Sequence, residues 1–147
     1  MTMRRVTEQD LDTVLRHRGA MFAAMGMPAE PSAMAASRRF FTEAFARGRY
    51  HGWFIEDAGA VVAGGGVVLL EYQPGPRQKG LLRPFVVNMW TEEPCRRKGL
   101  ARRLMETMVT WARAEGYGSL NLHASDEGRT LYESLGFRPT NEMRLIL

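Results

Sequence analysis

The chain has one cysteine, Cys95, so neither an internal disulfide nor a multi-cysteine zinc cluster is available, and a reducing, cytoplasmic setting is expected. No apolar run approaches the ~20 residues that span a bilayer. The opening residues, MTMRRVTEQDLD, carry acids where a secretion signal needs an apolar core. Repeats, low-complexity tracts and long linkers are absent, so residues 1–147 are expected to form one domain. Acid is also missing from one stretch. Residues 94–103, PCRRKGLARR, hold five basic side chains and no Asp or Glu. The formal charge is +4, from 20 basic and 16 acidic residues; without residues 96–103 the balance is 15 basic to 16 acidic. The excess charge belongs to this one stretch, which argues for a local anion site more than for a general nucleic-acid surface, and neither a nucleic-acid nor a membrane partner is expected.

The rest of the chain is ordinary globular material, 45% apolar and 24% charged, enough to bury a core. Thr7 and the acids after it open a helix, and Leu11, Val14, Leu15, Phe22 and Met25 keep helical spacing up to Gly26. A second helix is predicted from Ser32 to about Arg47, stopped by Gly48. From Gly52, GWFIEDAGAVVAGGGVVLLEY reads as two strands joined at Asp57-Ala58-Gly59. Its Gly64–Gly66 run lacks the lysine and following helix of a phosphate loop, and marks a bulge or a close backbone approach.

YQPGPRQKG, 72–80, is a loop, and RPFVVNMWT, 83–91, a central strand. Leu100, Leu104, Met105, Met108, Trp111 and Ala112 mark an amphipathic helix ending at Gly116. SLNLHA, 119–124, reads as a short strand, Ser125 to Leu135 as a helix with Gly136 at its C-terminal cap, and FRPTNEMRLIL, 137–147, as a final strand. With a short strand at Met3 to Val6, the pattern is α/β (α+β): a mixed, mostly antiparallel sheet with helices on both faces.

PCRRKGLARR joins the strand ending at Thr91 to the amphipathic helix. A helix's first turn has unpartnered N–H groups and partial positive charge, and a glycine there lets a phosphate approach the backbone. Five cations at the positive end of a helix call for a compensating anion such as a pyrophosphate; an arginine-rich solvated face is the competing reading, and charge alone leaves both open.

Spacing narrows the choice. Arg96-x-x-Gly99-x-Ala101 resembles the acetyl-CoA loop, Gln/Arg-x-x-Gly-x-Gly/Ala, of the GCN5-related N-acetyltransferase (GNAT) superfamily. Downstream, Gly128-x-x-x-Tyr132-x-x-x-Gly136-Phe137 is similar to that family's second signature, with Ser125 where Asn is frequent and Gly128 where Ala is frequent. The resemblance implies a sheet splayed at the cofactor strand and acetyl-CoA as donor, with no metal. It implies that Met89, Trp90 and Thr91 pair with the pantetheine arm, and that Arg96, Arg97, Lys98, Gly99, Leu100, Ala101 and Arg102 receive the phosphates, with Ser125 nearby. Tyr132 falls where the family places the acid that protonates the leaving thiolate.

For the base, Glu71 is preferred over His123, Glu92 and Glu93, and Asn88 is a polar residue able to orient a water or the acceptor. No acidic run announces a polycationic acceptor, so the expected acceptor is a small molecule with a primary amine. A protein amine, or a silent acyl-CoA-binding module, is the alternative. The family also allows a homodimer paired through residues 138–147.

Overall fold

The computed structural model describes residues 1–77 and 80–147. Four strands form one antiparallel sheet in chain order: β1 (Thr2–Arg5), β2 (Tyr50–Asp57), β3 (Ala60–Glu71) and β4 (Leu82–Thr91). Two helices, α1 (Leu11–Ala24) and α2 (Pro31–Ala46), precede β2; α3 (Leu100–Ala114) and α4 (Asp126–Ser134) follow β4. The β2–β3 hairpin closes at Ala58 and Gly59, whose φ values of 49° and 82° give the left-handed pair that a two-residue turn between twisted strands requires.

Side chains alternate across the sheet and so build two cores. On one face Val14 and Leu15 of α1, with Phe41 and Ala44 of α2, pack on Tyr50, Phe54 and Val68. On the other, Leu100, Leu104, Met105 and Met108 of α3 pack on Ile55, Ala63, Val67, Leu69 and Val86. Each large aliphatic side chain of α3 buried this way contributes about 1.5–3 kcal/mol. Leu100 is among them, so the core itself fixes where the N-terminus of α3 stands.

The Gly64–Gly66 run is where backbone and side chains come close. A Cβ on Gly64 would collide with the Phe54 ring, on Gly65 with Met89, and on Gly66 with the Tyr50 ring. The strand register also shifts there: Gly66 pairs with Val87 and Gly64 with Trp90, so Gly65 alone faces both Asn88 and Met89. β4 bulges at that point, and Asn88 takes a φ of +56°.

Three expectations change. The strand expected over 119–124 is reduced to one parallel bridge, Phe85 to Asn121, in which the Val86 N–H donates to the Asn121 carbonyl at 2.8 Å and the Asn121 N–H to the Pro84 carbonyl at 3.0 Å. β4 is therefore not a central strand throughout: beyond Val86 its outer edge has no backbone partner among the described residues. The final strand does not form. Residues 137–147 alternate as expected but find no adjacent strand edge once 119–124 is irregular, and Met143, Leu145, Ile146 and Leu147 stay exposed. Of the loop 72–80, positions 78 and 79 lie outside the described residues. Among the described residues no helix is long and apolar enough to cross a membrane.

Candidate active site

Met89, Trp90 and Thr91 lie just past the bulge, on the part of β4 that pairs with β3 but whose outer edge has no backbone partner among the described residues. Arg96 braces this end of the strand: its Nε donates to the Thr91 carbonyl at 3.1 Å and its guanidinium lies 5.0 Å from the Trp90 ring centre. Arg97 and Gly99 then take left-handed φ values of 61° and 77°, and α3 starts at Leu100 without a side-chain cap. Left-handed residues in such a run turn successive N–H groups to one side, and the first-turn N–H groups of α3 are left open. A Cβ on Gly99 would meet nothing within 4 Å, so glycine there serves the backbone conformation and leaves the approach clear.

The side chains of this loop divide by task. Arg97, Lys98 and Arg103 are exposed and have no carboxylate partner among the described residues. Arg102 reaches across to α4, its Nη2 donating to Ser134 Oγ at 2.7 Å. Leu100 is core, so it offers only its N–H, as does the small Ala101.

Ser125 caps α4: its Oγ accepts from the Gly128 N–H at 3.2 Å, as expected for a serine in the place of the family's asparagine. Gly128 opens space beside Tyr132, since a Cβ there would lie 2.8 Å from the tyrosine ring. The Tyr132 ring packs on the α3-side core and edge-on to Phe137. Burial holds its pKa above the usual phenol value, and its hydroxyl has no hydrogen-bond partner among the described residues. The phenol is therefore a protonated donor at neutral pH, free to serve an incoming atom.

On the α1 side of the bulge lies a second cluster. Asn88 is 4% exposed; its Oδ1 accepts from Arg18 Nη1 at 3.0 Å, and Arg18 Nε donates to Ser37 Oγ at 3.0 Å. The Arg18 guanidinium stacks over Phe22 and Phe41 at 4.7 and 5.8 Å from their centres. From there a cleft of about 1130 Å³ runs along the sheet, walled by Phe22, Phe40, Leu70, Phe85 and Val87, with Arg83 and Glu71 further out. Among the described residues, Asn88 Nδ2 is a buried donor without a partner.

Sequence reasoning named Asn88 and Phe22 but missed Arg18. Its one local signal was a cation four residues before Phe22, the spacing that puts two side chains on one helix face.

Glu71 closes β3, its exposed carboxylate shared between Arg47 at 3.3 Å and Arg49 at 3.4 Å. Six residues of strand, about 20 Å, separate it from Gly65 at the bulge, too far for direct proton transfer to an amine there. His123 stacks near Phe85, with ring centres 5.9 Å apart, on the wall of the cleft. Burial raises the Glu92 carboxyl, but Arg16, at 2.6 Å, outweighs it and holds the group below the usual carboxylate range. His17, 1% exposed, is pushed down to about 4 by burial and by Arg16, so it is neutral at neutral pH.

Comparison with known proteins accords with this geometry. The acetyltransferase (GNAT) domain profile matches residues 48–139. A GCN5-related N-acetyltransferase from Ralstonia eutropha is 30% identical, with a TM-score of 0.88 over 99% of this chain and 97% of its own. A predicted acetyltransferase from Clostridium acetobutylicum, solved with acetyl-CoA, is 21% identical, with a TM-score of 0.91 over 99% and 95%. An aminoglycoside 6'-N-acetyltransferase from Acinetobacter haemolyticus is 15% identical, with a TM-score of 0.74 over 100% and 97%. The latter two speak to the fold alone. A search of curated protein sequences found no match. A GNAT domain over most of the chain, on a fold shared end to end with a GCN5-related N-acetyltransferase, settles the class: the chain belongs to the GNAT family of N-acetyltransferases.

Proposed function

We propose that the protein transfers the acetyl group of acetyl-CoA directly to the primary amine of a small molecule. The observation that carries this is one juxtaposition: the edge of β4 is left unpartnered from the bulge onward, and it leads straight into the open N–H groups of α3. An edge with free N–H and C=O groups takes up an amide-bearing arm as it would another strand, and the helix start receives the phosphates. The acetyl-CoA present in the Clostridium acetobutylicum neighbour supports the same donor here.

In this reading the amine nitrogen attacks the thioester carbonyl at the bulge, where an N–H near Met89 stabilises the oxyanion. The C–N bond forms, the C–S bond breaks, and Tyr132 gives its proton to the departing thiolate. No direct base is assigned. The side chains around Asn88 are Arg18 and Ser37, neither of which accepts a proton at neutral pH. The amine proton therefore leaves through water in the cleft, with Glu71 and His123 on its walls as outer acceptors.

The test is thiol release from acetyl-CoA with a panel of primary amines, the acetylated product being identified by mass. Amine-dependent release is expected. Its rate should rise with pH along the amine's own titration, so that an α-amine (pKa about 7.7–8.0) and an alkylamine (about 10.4) give displaced profiles. Identical profiles for the two would point to a base on the protein and overturn the water route. Hydrolysis indifferent to amine would overturn the transfer.

A further inference from the structure

We propose that the acceptor carries a carboxylate beside its amine and that Arg18 binds it, so that the substrate class is the small α-amino acids with apolar side chains. This rests on the acetyl-transfer reading above and names its acceptor.

Arg18 is a half-buried cation without a counter-charge among the described residues. Its hydrogen-bond partners, Asn88 Oδ1 and Ser37 Oγ, are neutral, two phenyl rings flank it, and no Asp or Glu pairs with it among the described residues. Burial lowers its pKa, the mark of a charge missing its water. Several other arginines are matched to carboxylates, Arg4 to Asp10 and Glu56, Arg16 to Glu92, Arg47 and Arg49 to Glu71, whereas the unmatched Arg97 and Arg103 are exposed to water. A half-buried guanidinium with only neutral partners keeps an unmet demand for an anion. Two of its five N–H donors are used, which leaves a set able to take a carboxylate.

The cofactor's phosphates do not meet that demand. The α3 N-terminus lies on the opposite face of the sheet from α1, and its own exposed cations serve it. What faces Arg18 is the cleft. Because Arg18 bonds the Asn88 side chain in the bulge, a carboxylate on its guanidinium would be held beside the stretch of β4 at which the amine is to attack. Arg77 and Arg83 also line the cleft; Arg83 is stacked over Tyr72 and Phe85, and its backbone stands five residues, about 16 Å of strand, down β4 from Asn88.

The acids of the cleft do not cancel this field. Glu71 is shared by Arg47 and Arg49, and Glu142 is on the exposed rim. The wall of Phe22, Phe40, Leu70 and Val87 suits an apolar side chain. A polycationic acceptor would bring its charges against Arg18 and Arg83.

The experiment compares L-phenylalanine and L-methionine with their carboxamides and with 2-phenylethylamine, each at matched concentration of neutral amine. A charge-assisted contact at this depth should give the acids a kcat/KM about 30-fold above the amides. Arg18→Met should bring that ratio close to one without changing acetyl-CoA affinity by calorimetry, while Arg18→Lys keeps part of it. Amides that equal the acids in the unaltered protein, or a preference that survives Arg18→Met, would overturn the proposal. Should none of the five be acetylated although acetyl-CoA binds, N-acetyl-L-phenylalanine and its amide are titrated into the CoA complex. Preference for the acid then supports the proposal, and equal or absent binding overturns it. Failure of acetyl-CoA itself to bind is a distinct result, and it overturns the acetyl-transfer reading on which this proposal rests.

Discussion

The two charged regions of the molecule use arginine in opposite ways. At the start of α3, Arg97, Lys98 and Arg103 are exposed with no carboxylate partner among the described residues, and two left-handed residues shape the backbone that leads into the helix. Beside the β4 bulge Arg18 is half-buried, stacked on rings and held by two hydrogen bonds. The first arrangement tolerates side-chain motion because its geometry is in the backbone. The second is specific because its geometry is in side chains, and each of those side chains depends on its neighbours. A polyphosphate group needs the first kind of site, and a small acceptor that must be aimed at one atom needs the second.

That contrast predicts different signatures for damage. Gly99→Glu places a carboxylate and a disfavoured φ at the anion site, and should weaken acetyl-CoA binding more than about 100-fold while costing about 1–2 kcal/mol of stability. Calorimetry and a denaturant titration read the two effects separately. Tyr132→Phe should lower kcat about 100-fold with acetyl-CoA affinity unchanged, as the loss of a positioned acid does; a normal kcat would remove the phenol from the reaction.

Asn88→Ala should behave unlike either. It orphans an Arg18 N–H and takes away a residue that tolerates positive φ, so stability should fall by about 2 kcal/mol and kcat should fall with it. A variant that lost rate at full stability would show that the bulge is held by something other than the Arg18–Asn88 bond. The smallest effect belongs to Gly128→Ala, which pushes on the Tyr132 ring and should cost kcat only several-fold, seen in the same steady-state assay.

The same contrast explains what could be read from sequence. The α3 loop was legible because its function is local: six residues, Arg96 to Ala101, contain the motif, the left-handed glycine and the helix start. The hairpin at Ala58-Gly59 and the crowding at Gly64–Gly66 were legible for the same reason. The cluster beside the bulge was not, because Arg18, Ser37 and Asn88 meet only after α1 and α2 pack on the sheet. Glu71 looked well placed as the end of a strand, but strand length put it at the far end of the cleft, between two arginines.

The strands expected at 119–124 and 137–147 failed for a related reason. Alternation describes a residue pattern, whereas a strand also needs an edge to pair with, and among the described residues the pairing with β4 does not continue past Asn121.

The most direct measurement is calorimetric titration of the protein and of its Gly99→Glu variant with acetyl-CoA, beside free CoA, ATP and a short DNA duplex. Saturable one-to-one binding of acetyl-CoA, lost in the variant and not matched by ATP or DNA, is the predicted result. Equal binding of every polyanion, or acetyl-CoA binding untouched by Gly99→Glu, would contradict it and reduce the loop to a patch of positive surface.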